Sequence, residues 1–504
     1  MMSNKFFSLS MFAVLCCLSL FITLPCSLSL PIKAVNLGGW LVTEGWITPK
    51  LFQGIPNGDM LDGTQVQFQC VSTGMYLSAE DGGNTIIVAN RTSASGWETF
   101  KLWRVDQDHY QFKVFYNQFW GVNNNNNVIA TSTDPGSSET FQVVRNPNNV
   151  DQVRIKAPNG NYLQAKNPNQ VTADYVGDND WGNNPSVFNM SAFGGIQGEY
   201  QVTNGWGSQA EQVMQNHWST FVVQSDFQNI SQNGLNAVRI PVGWWIASDP
   251  NPPKPFVGGS LNALDNAFSW AGKYGVKVII DLHAAPGSQN GHADSATRDG
   301  SQNWGTSEAN IQQTVGVIDF LTQRYANNSA LLAVELINEP LAPGATYNSL
   351  NEYYQDGYNT VRKYSSQAYV ILSARIGPAD PKEFYSTVMN NGWTNGVLDV
   401  HYYNLYNSYF QGLTVQQNID YINNNRTGDL SNINVKNGPL TFVGEWVAEW
   451  DVQGASKQDY QRFAAAQINV YGQATFGWSY WTLHCQYLHW DMQRMIQQGY
   501  ISLD

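Results

Sequence analysis

The stretch Val276–His283 reads Val-Lys-Val-Ile-Ile-Asp-Leu-His and decides the fold of this chain. Its β-branched residues follow one another with little polar alternation, which is typical of a parallel strand covered on both faces. The stretch closes on two polar residues, Asp281 and His283. In parallel sheets the carboxyl ends of the strands are where ligands bind, so these two residues mark a possible site.

Seven further apolar runs of similar length occur along the chain, and longer helical patterns separate them. One of these patterns begins at Ser456 and Asp459, which offer a helix-capping start. The strand candidates are Ala34–Leu37, Ala237–Pro241, Val276–Leu282, Leu331–Ile337, Tyr369–Leu372, Val397–Tyr402, Leu440–Val443 and Thr475–Tyr480. Eight βα units predict an α/β protein with a (β/α)8 TIM barrel.

A segment of different amino-acid composition interrupts this pattern after the first strand. Short apolar runs alternate there with clusters of Asn, Gly and Ser, and aromatic residues recur at a spacing of 43, at Tyr76, Phe119 and Tyr162. Each unit then closes on a phenylalanine, at Phe100, Phe141 or Phe188. Three units that cannot bury their faces alone predict an inserted all-β trefoil domain. The predicted domains are the trefoil at 58–195 and a barrel divided between 30–57 and 196–504.

Tryptophans in the insert have two possible roles that the sequence leaves open. Their flat rings could stack on sugars, or they could fill the trefoil core and dock the insert on the barrel. The residues in question are Trp97, Trp103, Trp120 and Trp181. The insert is therefore either a sugar-binding module or a docked spacer.

The first 29 residues have the pattern of a secretory signal peptide. Lys5 precedes a long apolar stretch, and small residues follow at Cys26, Ser27 and Ser29. An uncleaved anchor is the alternative, since the stretch is nearly long enough to span a bilayer. After cleavage only Cys70 and Cys485 remain, so at most one disulfide is possible. Five Asn-X-Ser/Thr sequons suit a secreted glycoprotein of the extracellular space or cell wall, with no membrane attachment once the signal is removed.

Composition excludes several function classes. The chain has 504 residues, of which 42% are hydrophobic and 13% charged, with a formal net charge of −13. It is too apolar to be disordered and too acidic for an ordinary nucleic-acid binder. No phosphate-binding glycine loop, dinucleotide fingerprint or zinc spacing is found, so neither a cofactor nor a metal is expected.

Polar residues stand at the predicted carboxyl ends of the barrel strands, where the chemistry of this fold takes place. Burying so many polar groups without purpose would cost several kcal/mol. The set therefore predicts a catalytic site. Its members are Arg239, Asp281, His283, Asn338, Glu339, His401, Tyr403, Glu445, Trp446 and Trp481.

Two glutamates in this set, Glu339 and Glu445, suit glycoside hydrolysis. One carboxyl group must be protonated to donate to the leaving oxygen, and the other must be ionised to attack or to activate water. Arg239 beside one glutamate is expected to hold it ionised, and a more apolar setting to raise the pKa of the other. Strands four and seven of a barrel face each other at roughly 5 Å, which favours direct attack and retention of configuration.

The motifs Asn338-Glu339-Pro340 and Gly444-Glu445-Trp446 look like the signature of glycoside hydrolase family 5, in the retaining clan A. The segments Val35–Trp40 and Asp281–Gly291 are similar to the fungal exo-β-1,3-glucanases of that family. The resemblance covers essentially the whole barrel in order. A fascin-like trefoil inserted after the first strand resembles a plant branch of the family.

The resemblance implies a role for each matching residue. Glu339 would be the acid/base and Glu445 the nucleophile, while Glu44 would contact the glucose at the pocket floor. The implied activity is that of a secreted, monomeric, exo-acting glucan 1,3-β-glucosidase acting on β-glucan or β-gluco-oligosaccharides. The supporting substrate-binding residues would be Arg239, His283, Asn338, His401, Tyr403 and Trp481.

Two departures from the fungal pattern leave the substrate open. His292-Ala293-Asp294 stands where the fungal enzymes carry Phe-Asp-Asn, and Tyr406 stands where a second entrance phenylalanine is expected. The same mechanism could act on β-1,4-glucan, β-mannan or small glucosides, or could transfer sugars. A carbohydrate-binding protein with an inactive barrel is the alternative from another class.

Overall fold

The structure is a computed structural model that describes residues 30–177 and 180–503. The predicted signal peptide at residues 1–29 lies outside the described residues. Strand β1 (Ile32–Asn36) opens a barrel, and an all-β domain follows before the next barrel strand. Every helix in the described part of the chain is too short or too polar to serve as a membrane span.

The inserted domain contains twelve short strands within its described residues, joined in antiparallel pairs. The recurring aromatics of the sequence begin equivalent strands: Tyr76, Phe119 and Tyr162 open β3, β7 and β11. The domain has its own buried core of aromatic and aliphatic side chains. Its strands are β2 (Gln65–Cys70), β3 (Tyr76–Ala79), β4 (Ile87–Arg91), β5 (Phe100–Arg104), β6 (His109–Lys113), β7 (Phe119–Val122), β8 (Val128–Ser132), β9 (Phe141–Asn146), β10 (Asn149–Lys156), β11 (Tyr162–Asn167), β12 (Gln170–Tyr175) and β13 (Phe188–Phe193).

The four tryptophans of the insert lie in different surroundings. Trp120 is buried in the core of the domain, where its ring packs at 4.5 Å from that of Phe112. Trp103 reaches the barrel and donates to the Asp299 carboxylate at 2.8 Å. Trp97 and Trp181 are half-buried. Packing and docking therefore account for at least two of the four rings.

The predicted TIM barrel is confirmed: β1 and seven later strands form a closed, parallel, eight-stranded barrel within the described residues. Every strand candidate of the sequence coincides with one of them. The later strands are β14 (Ala237–Gly243), β15 (Lys277–Ala284), β16 (Leu331–Glu335), β17 (Tyr369–Ser373), β18 (Gly396–Tyr402), β19 (Leu440–Trp446) and β20 (Gly477–Tyr480).

Helices surround the barrel and cover the outer faces of its strands. Helix α10 begins as its sequence predicts, because the Asp459 amide donates to the Ser456 hydroxyl and the Ser456 amide donates to the Asp459 carboxylate. The helices are α1 (Glu199–Trp206), α2 (Ala210–Thr220), α3 (Gln224–Gln232), α4 (Ser260–Tyr274), α5 (Glu308–Tyr325), α6 (Tyr347–Tyr364), α7 (Tyr385–Asn390), α8 (Val415–Tyr421), α9 (Thr427–Ile433), α10 (Lys457–Tyr471) and α11 (Met492–Gln497).

The barrel interior is layered, because strand side chains alternate with a period of two. A lower layer is apolar and packs as one cluster, which includes Ala237, Ile279, Ala333, Ile371 and Val397. Two residues further along the same strands lies a buried polar layer of Arg239, Asp281, Glu335, Ser373 and Asp399. The apolar layer therefore supports a polar floor beneath the barrel mouth.

A β-bulge on β19 breaks this alternation. Val400 pairs with Val443, but the next residue of β18, His401, pairs with Glu445, so Gly444 is an extra residue. The Gly444 amide donates to the Asp399 carboxylate at 2.7 Å, and a Cβ at position 444 would lie 2.1 Å from that carboxylate. The bulge thereby turns the Glu445 side chain toward the barrel mouth.

The two cysteines that follow the predicted signal peptide are not bonded to each other. Cys70 lies at the end of β2 in the inserted domain, and Cys485 lies after β20 in the barrel. Both are buried free thiols. The structure thus answers the question that the cysteine count leaves open: among the described residues these two thiols form no disulfide, and hydrophobic packing holds each domain together.

Closure of the barrel depends on Gly477, where β20 meets β1. Its φ is +132°, and a Cβ there would lie 2.2 Å from the Ile32 carbonyl oxygen. We expect Gly477→Ala to lower the free energy of unfolding by at least about 2 kcal/mol, through strain and overlap with backbone. Urea unfolding monitored by circular dichroism measures this.

The matched control is Gly316→Ala on the exposed face of α5. A Cβ there meets nothing within 4 Å, so the change should be neutral or stabilise by roughly 0.5–1 kcal/mol through helix propensity. Equal effects of the two substitutions would contradict the argument from Gly477.

Candidate active site

Arg239 is the centre of the polar layer and is completely buried. Its guanidinium binds Glu335 through two hydrogen bonds, at 2.6 and 2.9 Å, and lies 3.1 Å from the Asp281 carboxylate. Its Nη1 donates to Glu445 Oε1 and to Asn36 Oδ1, both at 3.0 Å. Burial opposes the positive charge, but the surrounding carboxylates raise the pKa of Arg239 well above its ordinary value.

Glu445 is fixed by donors on both of its oxygens. Arg239 donates to Oε1, and the Tyr403 hydroxyl donates to Oε2 at 2.7 Å. The side chain is 6% exposed. These two hydrogen bonds define the orientation of the carboxylate and leave it little freedom to rotate.

Glu339 stands opposite, where its backbone adopts a left-handed conformation with φ of +40°. The His401 Nδ1 lies 2.6 Å from Glu339 Oε1, and the His401 Nε2 lies 3.2 Å from the Asp399 carboxylate. Because both ring nitrogens face carboxylates, the imidazolium form satisfies every contact. Burial opposes the charged form, but the negative charges of Glu445, Asp399 and Glu339 raise the pKa of His401 well above its ordinary value.

The two glutamates and His401 form a compact cluster at the barrel mouth. One oxygen of Glu339, one oxygen of Glu445 and a nitrogen of His401 all lie within 4.8 Å of one another. These residue types could ligate a metal, but the 2.6 Å contact between His401 and Glu339 leaves no room for an ion between them. A carboxylate separation of this size suits direct attack on a sugar.

The pKa shifts of the two glutamates have the opposite directions to those expected for an acid at Glu339 and a nucleophile at Glu445. Burial would raise the pKa of Glu339, but the charge and hydrogen bond of His401 lower it below its ordinary value. Burial raises the pKa of Glu445, and the negative charge of Glu339 adds to that shift. The physical reason is that Arg239 shares its charge among three carboxylates, whereas His401 makes its shortest contact with Glu339.

Three other predicted residues line the same space. The Asn338 side-chain oxygen accepts from Arg239 Nη2 at 2.8 Å. The His283 Nδ1 lies 2.6 Å from the Asp281 carboxylate, and its ring stacks on Trp481 at a centroid distance of 5.4 Å. Asp281 raises the pKa of His283 to about 9, against the effect of burial. A charged imidazolium and a flat indole thus meet on one wall.

Glu44 lines this space, and its carboxyl group is only partly satisfied by hydrogen bonds. The Trp46 indole donates to its Oε2 at 2.9 Å, whereas its buried Oε1 has no partner among the described residues. Burial raises the pKa of Glu44 to about 8, and the nearby Asp294 adds to the shift. A buried, unpartnered oxygen in the cavity wall is suited to accept a hydrogen bond from a ligand hydroxyl.

All of these groups face a cavity of about 860 Å³ at the carboxyl ends of the strands. It brings together the predicted site residues except Arg239 and Asp281, which lie beneath it in the polar layer, and Trp446. Trp446 follows Glu445 on β19 and packs instead in the hydrophobic core, against Tyr471, Trp478 and Tyr480. The cavity walls also include Trp46, Asp294, Tyr406 and Trp490. Tyr406 is 80% exposed and stands at the entrance.

Several residues that organise the site are missing from the sequence prediction. Glu335 and Asp399 interrupt apolar strands, and such a charge inside a buried run is a signal that could have identified them. Asn36 carries a weaker signal, and its role in joining Arg239 to the Gly444 carbonyl depends on barrel closure. Trp46 lies in a loop whose path the sequence pattern does not predict.

Comparisons with known proteins agree with this geometry. Residues 201–486 match the family described as "Cellulase (glycosyl hydrolase family 5)", and residues 57–193 match a domain of unknown function, DUF7910. The "Probable glucan 1,3-beta-glucosidase A" of Neosartorya fischeri is 32% identical over 355 residues, which cover 62% of this chain and 82% of that protein. The "Glucan 1,3-beta-glucosidase" of Yarrowia lipolytica is 31% identical over 359 residues, covering 62% and 83%.

A solved structure shares the barrel fold at low sequence identity. The rutinosidase from Aspergillus niger superposes with a TM-score of 0.53 at 20% identity, over 61% of this chain and 90% of that one. At this identity the likeness concerns the fold. The matched fraction of this chain, 61%, is close to the fraction of its residues that belong to the barrel domain.

The raised pKa of Glu44 links protein stability to pH. The folded state keeps a proton on this carboxyl up to about pH 8, whereas an unfolded glutamate loses it near 4.5. Its stabilising contribution is therefore complete below pH 4.5 and is lost as pH rises to 8, at about 1.4 kcal/mol per unit. We expect Glu44→Gln to make the unfolding free energy fall less steeply from pH 5 to 8.

Urea unfolding at pH 5, 6, 7 and 8 checks this expectation. Glu352→Gln, on the exposed side of α6, is the control and should keep the wild-type slope. A Glu44→Gln curve parallel to the wild-type curve would show that Glu44 does not carry the proton.

Proposed function

Because the chain belongs to glycosyl hydrolase family 5 and is a glycoside hydrolase, we propose that it is a retaining, exo-acting glucan 1,3-β-glucosidase. The observation that carries the proposal is the pair of carboxylates, Glu339 and Glu445, within 4.8 Å across the barrel mouth. That separation admits direct attack and leaves too little room for an intervening water. The linkage comes from the names of the two fungal relatives.

We assign Glu445 as the nucleophile and Glu339 as the acid/base. Two donors hold the Glu445 carboxylate in one orientation beneath the cavity, which supports in-line attack on the anomeric carbon. The Glu339 side chain is 20% exposed against 6% for Glu445, and an acid/base must reach both the departing oxygen and the incoming water.

His401 offers a source for the proton that Glu339 needs as an acid. A proton can move from His401 Nδ1 to Glu339 Oε1 along their 2.6 Å contact, which leaves a neutral imidazole and a protonated acid. The transfer removes both the positive charge of His401, which lowers the pKa of Glu445, and the negative charge of Glu339, which raises it. The hydrogen bond and charge of Arg239 then favour the ionised form of Glu445 for the first displacement.

In that displacement the Glu445 oxygen forms a bond to the anomeric carbon while the bond to the leaving oxygen breaks. Glu339 transfers its proton to the leaving oxygen as the glycosyl-enzyme ester forms. Glu339, now ionised, then takes a proton from water, which attacks the anomeric carbon as its bond to the Glu445 oxygen breaks, so that Glu445 is regenerated. The two inversions give overall retention.

The exo mode rests on Glu44 in the cavity wall. Its free Oε1 can accept from a hydroxyl of the terminal sugar, while the Trp46 indole donates to its Oε2. A glucan chain that continued past that sugar would leave this buried group without a hydrogen bond, which costs several kcal/mol.

We also propose a fold for the inserted domain, a cellular location and an oligomeric state for the protein. The threefold recurrence of strand-opening aromatics, with four strands for each unit, supports a β-trefoil fold for the insert. The N-terminal apolar pattern and the sequons support secretion to the extracellular space or cell wall. We propose a monomer that works without a cofactor or metal.

Azide rescue tests the two catalytic roles. Glu445→Ala and Glu339→Ala should each lower hydrolysis of an aryl β-glucoside by roughly 10³-fold or more. With azide, the Glu445 variant should yield the inverted α-glucosyl azide and the Glu339 variant the retained β-azide. Glu352→Ala should behave as wild type, and exchanged anomers between the two variants would reverse the assignment.

Product analysis tests the mode of cleavage. Laminarin should release β-glucose as its first product, seen by NMR before mutarotation, and laminaribiose should be split faster than cellobiose, gentiobiose or mannobiose. Early oligomers would indicate an endo cleft, and initial α-glucose would contradict retention. Preference for another disaccharide would keep the mechanism and change the substrate.

A further inference from the structure

The loop between β15 and α5 connects the cavity to the inserted domain. Its first half reaches the cavity, where His292, Ala293 and Asp294 form part of the wall. Its second half, residues 297–301, contacts strands β5 and β6 of the inserted domain through hydrogen bonds to Asp299. Long loops with little regular structure are usually mobile unless other groups hold them.

Asp299 anchors the second half of this loop. Its buried carboxylate accepts from Lys113 Nζ and from the Trp103 indole, both at 2.8 Å, and Lys101 Nζ donates to its carbonyl at 2.9 Å. All three donors belong to the inserted domain. Burial would raise the pKa of Asp299, but Lys113 holds it below its ordinary range, so the ion pair persists.

Arg298 adds a second attachment. Its guanidinium lies over the Trp103 ring, 3.9 Å from the centroid, and its Nε donates to the buried Asp62 carboxylate at 2.8 Å. Behind the loop, the Gln201 side chain donates to the carbonyls of Thr297 and Arg298, both at 2.9 Å. The loop is thus held from the side of the insert and from helix α1.

The two halves of the loop are in direct backbone contact, so the anchor reaches the cavity. A Cβ at Gly291 would lie 2.8 Å from the Gly300 carbonyl oxygen, and one at Gly198 would lie 2.4 Å from the Ala293 carbonyl oxygen. Gly198 also forms a β-bridge with Glu44. The backbone that carries Asp294 and the backbone that carries Glu44 are therefore packed against each other through Gly198.

We propose that the inserted domain is a positioning module for this loop: by holding Asp299 and Arg298, it places Asp294 opposite Glu44 and so sets the affinity for the terminal sugar. This inference rests on the proposed function, because it takes the cavity to be the sugar site. It gives the otherwise unassigned insert a role in the same reaction. Lys113 and Trp103 are positioning residues, since neither contacts the reacting groups.

Kinetics and hydrogen exchange together test the proposal. We expect Lys113→Met to raise KM for an aryl β-glucoside about 10-fold while kcat stays within about twofold, because positioning of the terminal sugar is lost and the glutamate pair is untouched. Amide exchange across residues 288–303 should become faster. Lys113→Arg should restore both values, and Trp103→Phe, which removes one donor and keeps a ring, should act in the same direction.

Arg145→Met is the matched control, because it removes an ion pair with Asp59 at 2.7 Å that involves the same domain and does not reach the loop. It should leave KM and loop exchange unchanged. Unchanged KM and exchange in both Lys113→Met and Trp103→Phe would overturn the proposal. So would a loss of kcat at constant KM, or equal effects of Arg145→Met.

Failure of the proposed function is a separate outcome. A wild-type chain that hydrolyses no β-glucoside would refute the assigned activity, whereas the exchange measurement needs no substrate and still reports whether the insert holds the loop. An active wild type with a loop that is indifferent to Lys113 would refute the positioning role alone.

Discussion

One buried cation, Arg239, supports the whole site. A guanidinium removed from water needs anionic partners, and here Glu335, Asp281 and Glu445 supply them from three different strands. The arrangement is costly to break, since removal of one member leaves the others buried without compensation. It also fixes the relative position of those strands, so Glu445, the proposed nucleophile, is oriented by the same bonds that hold the upper barrel together.

The charge on the other side of the cavity is organised by His401. Its two nitrogens tie Glu339 to Asp399, and Asp399 in turn accepts from the Gly444 amide. Glu339, the proposed acid/base, and the bulge that carries Glu445 are therefore joined through one carboxylate. The lowered pKa of Glu339 follows from its contact with His401, whose positive charge and hydrogen bond favour the ionised carboxylate.

Sequence patterns predict the barrel well because its strands are buried on both faces and read as apolar runs, such as Val276–Leu282. The glutamates at the strand ends are also predictable, since a charged residue that directly follows a buried strand is costly unless it has partners or a function. Asn36 and the bulge at Gly444 are not predictable in the same way, because their roles depend on which strands become neighbours when the barrel closes. The reach of Trp103 to Asp299 depends on how two domains meet, which no local pattern encodes.

The bulge at Gly444 determines which face of β19 carries Glu445, the proposed nucleophile. In a strand that alternates strictly, residues an even number of positions from Phe442 face the interior and Glu445 would face the helices. Because Gly444 is an extra residue, the alternation shifts by one position after it, and Glu445 faces the barrel interior instead of the helices. Deletion of a single residue from β19 before Glu445 would thus turn this side chain away from the cavity, which many substitutions in the strand would not do. A related protein whose strand differs by one residue before the glutamate would need a compensating insertion to keep that carboxylate in the site.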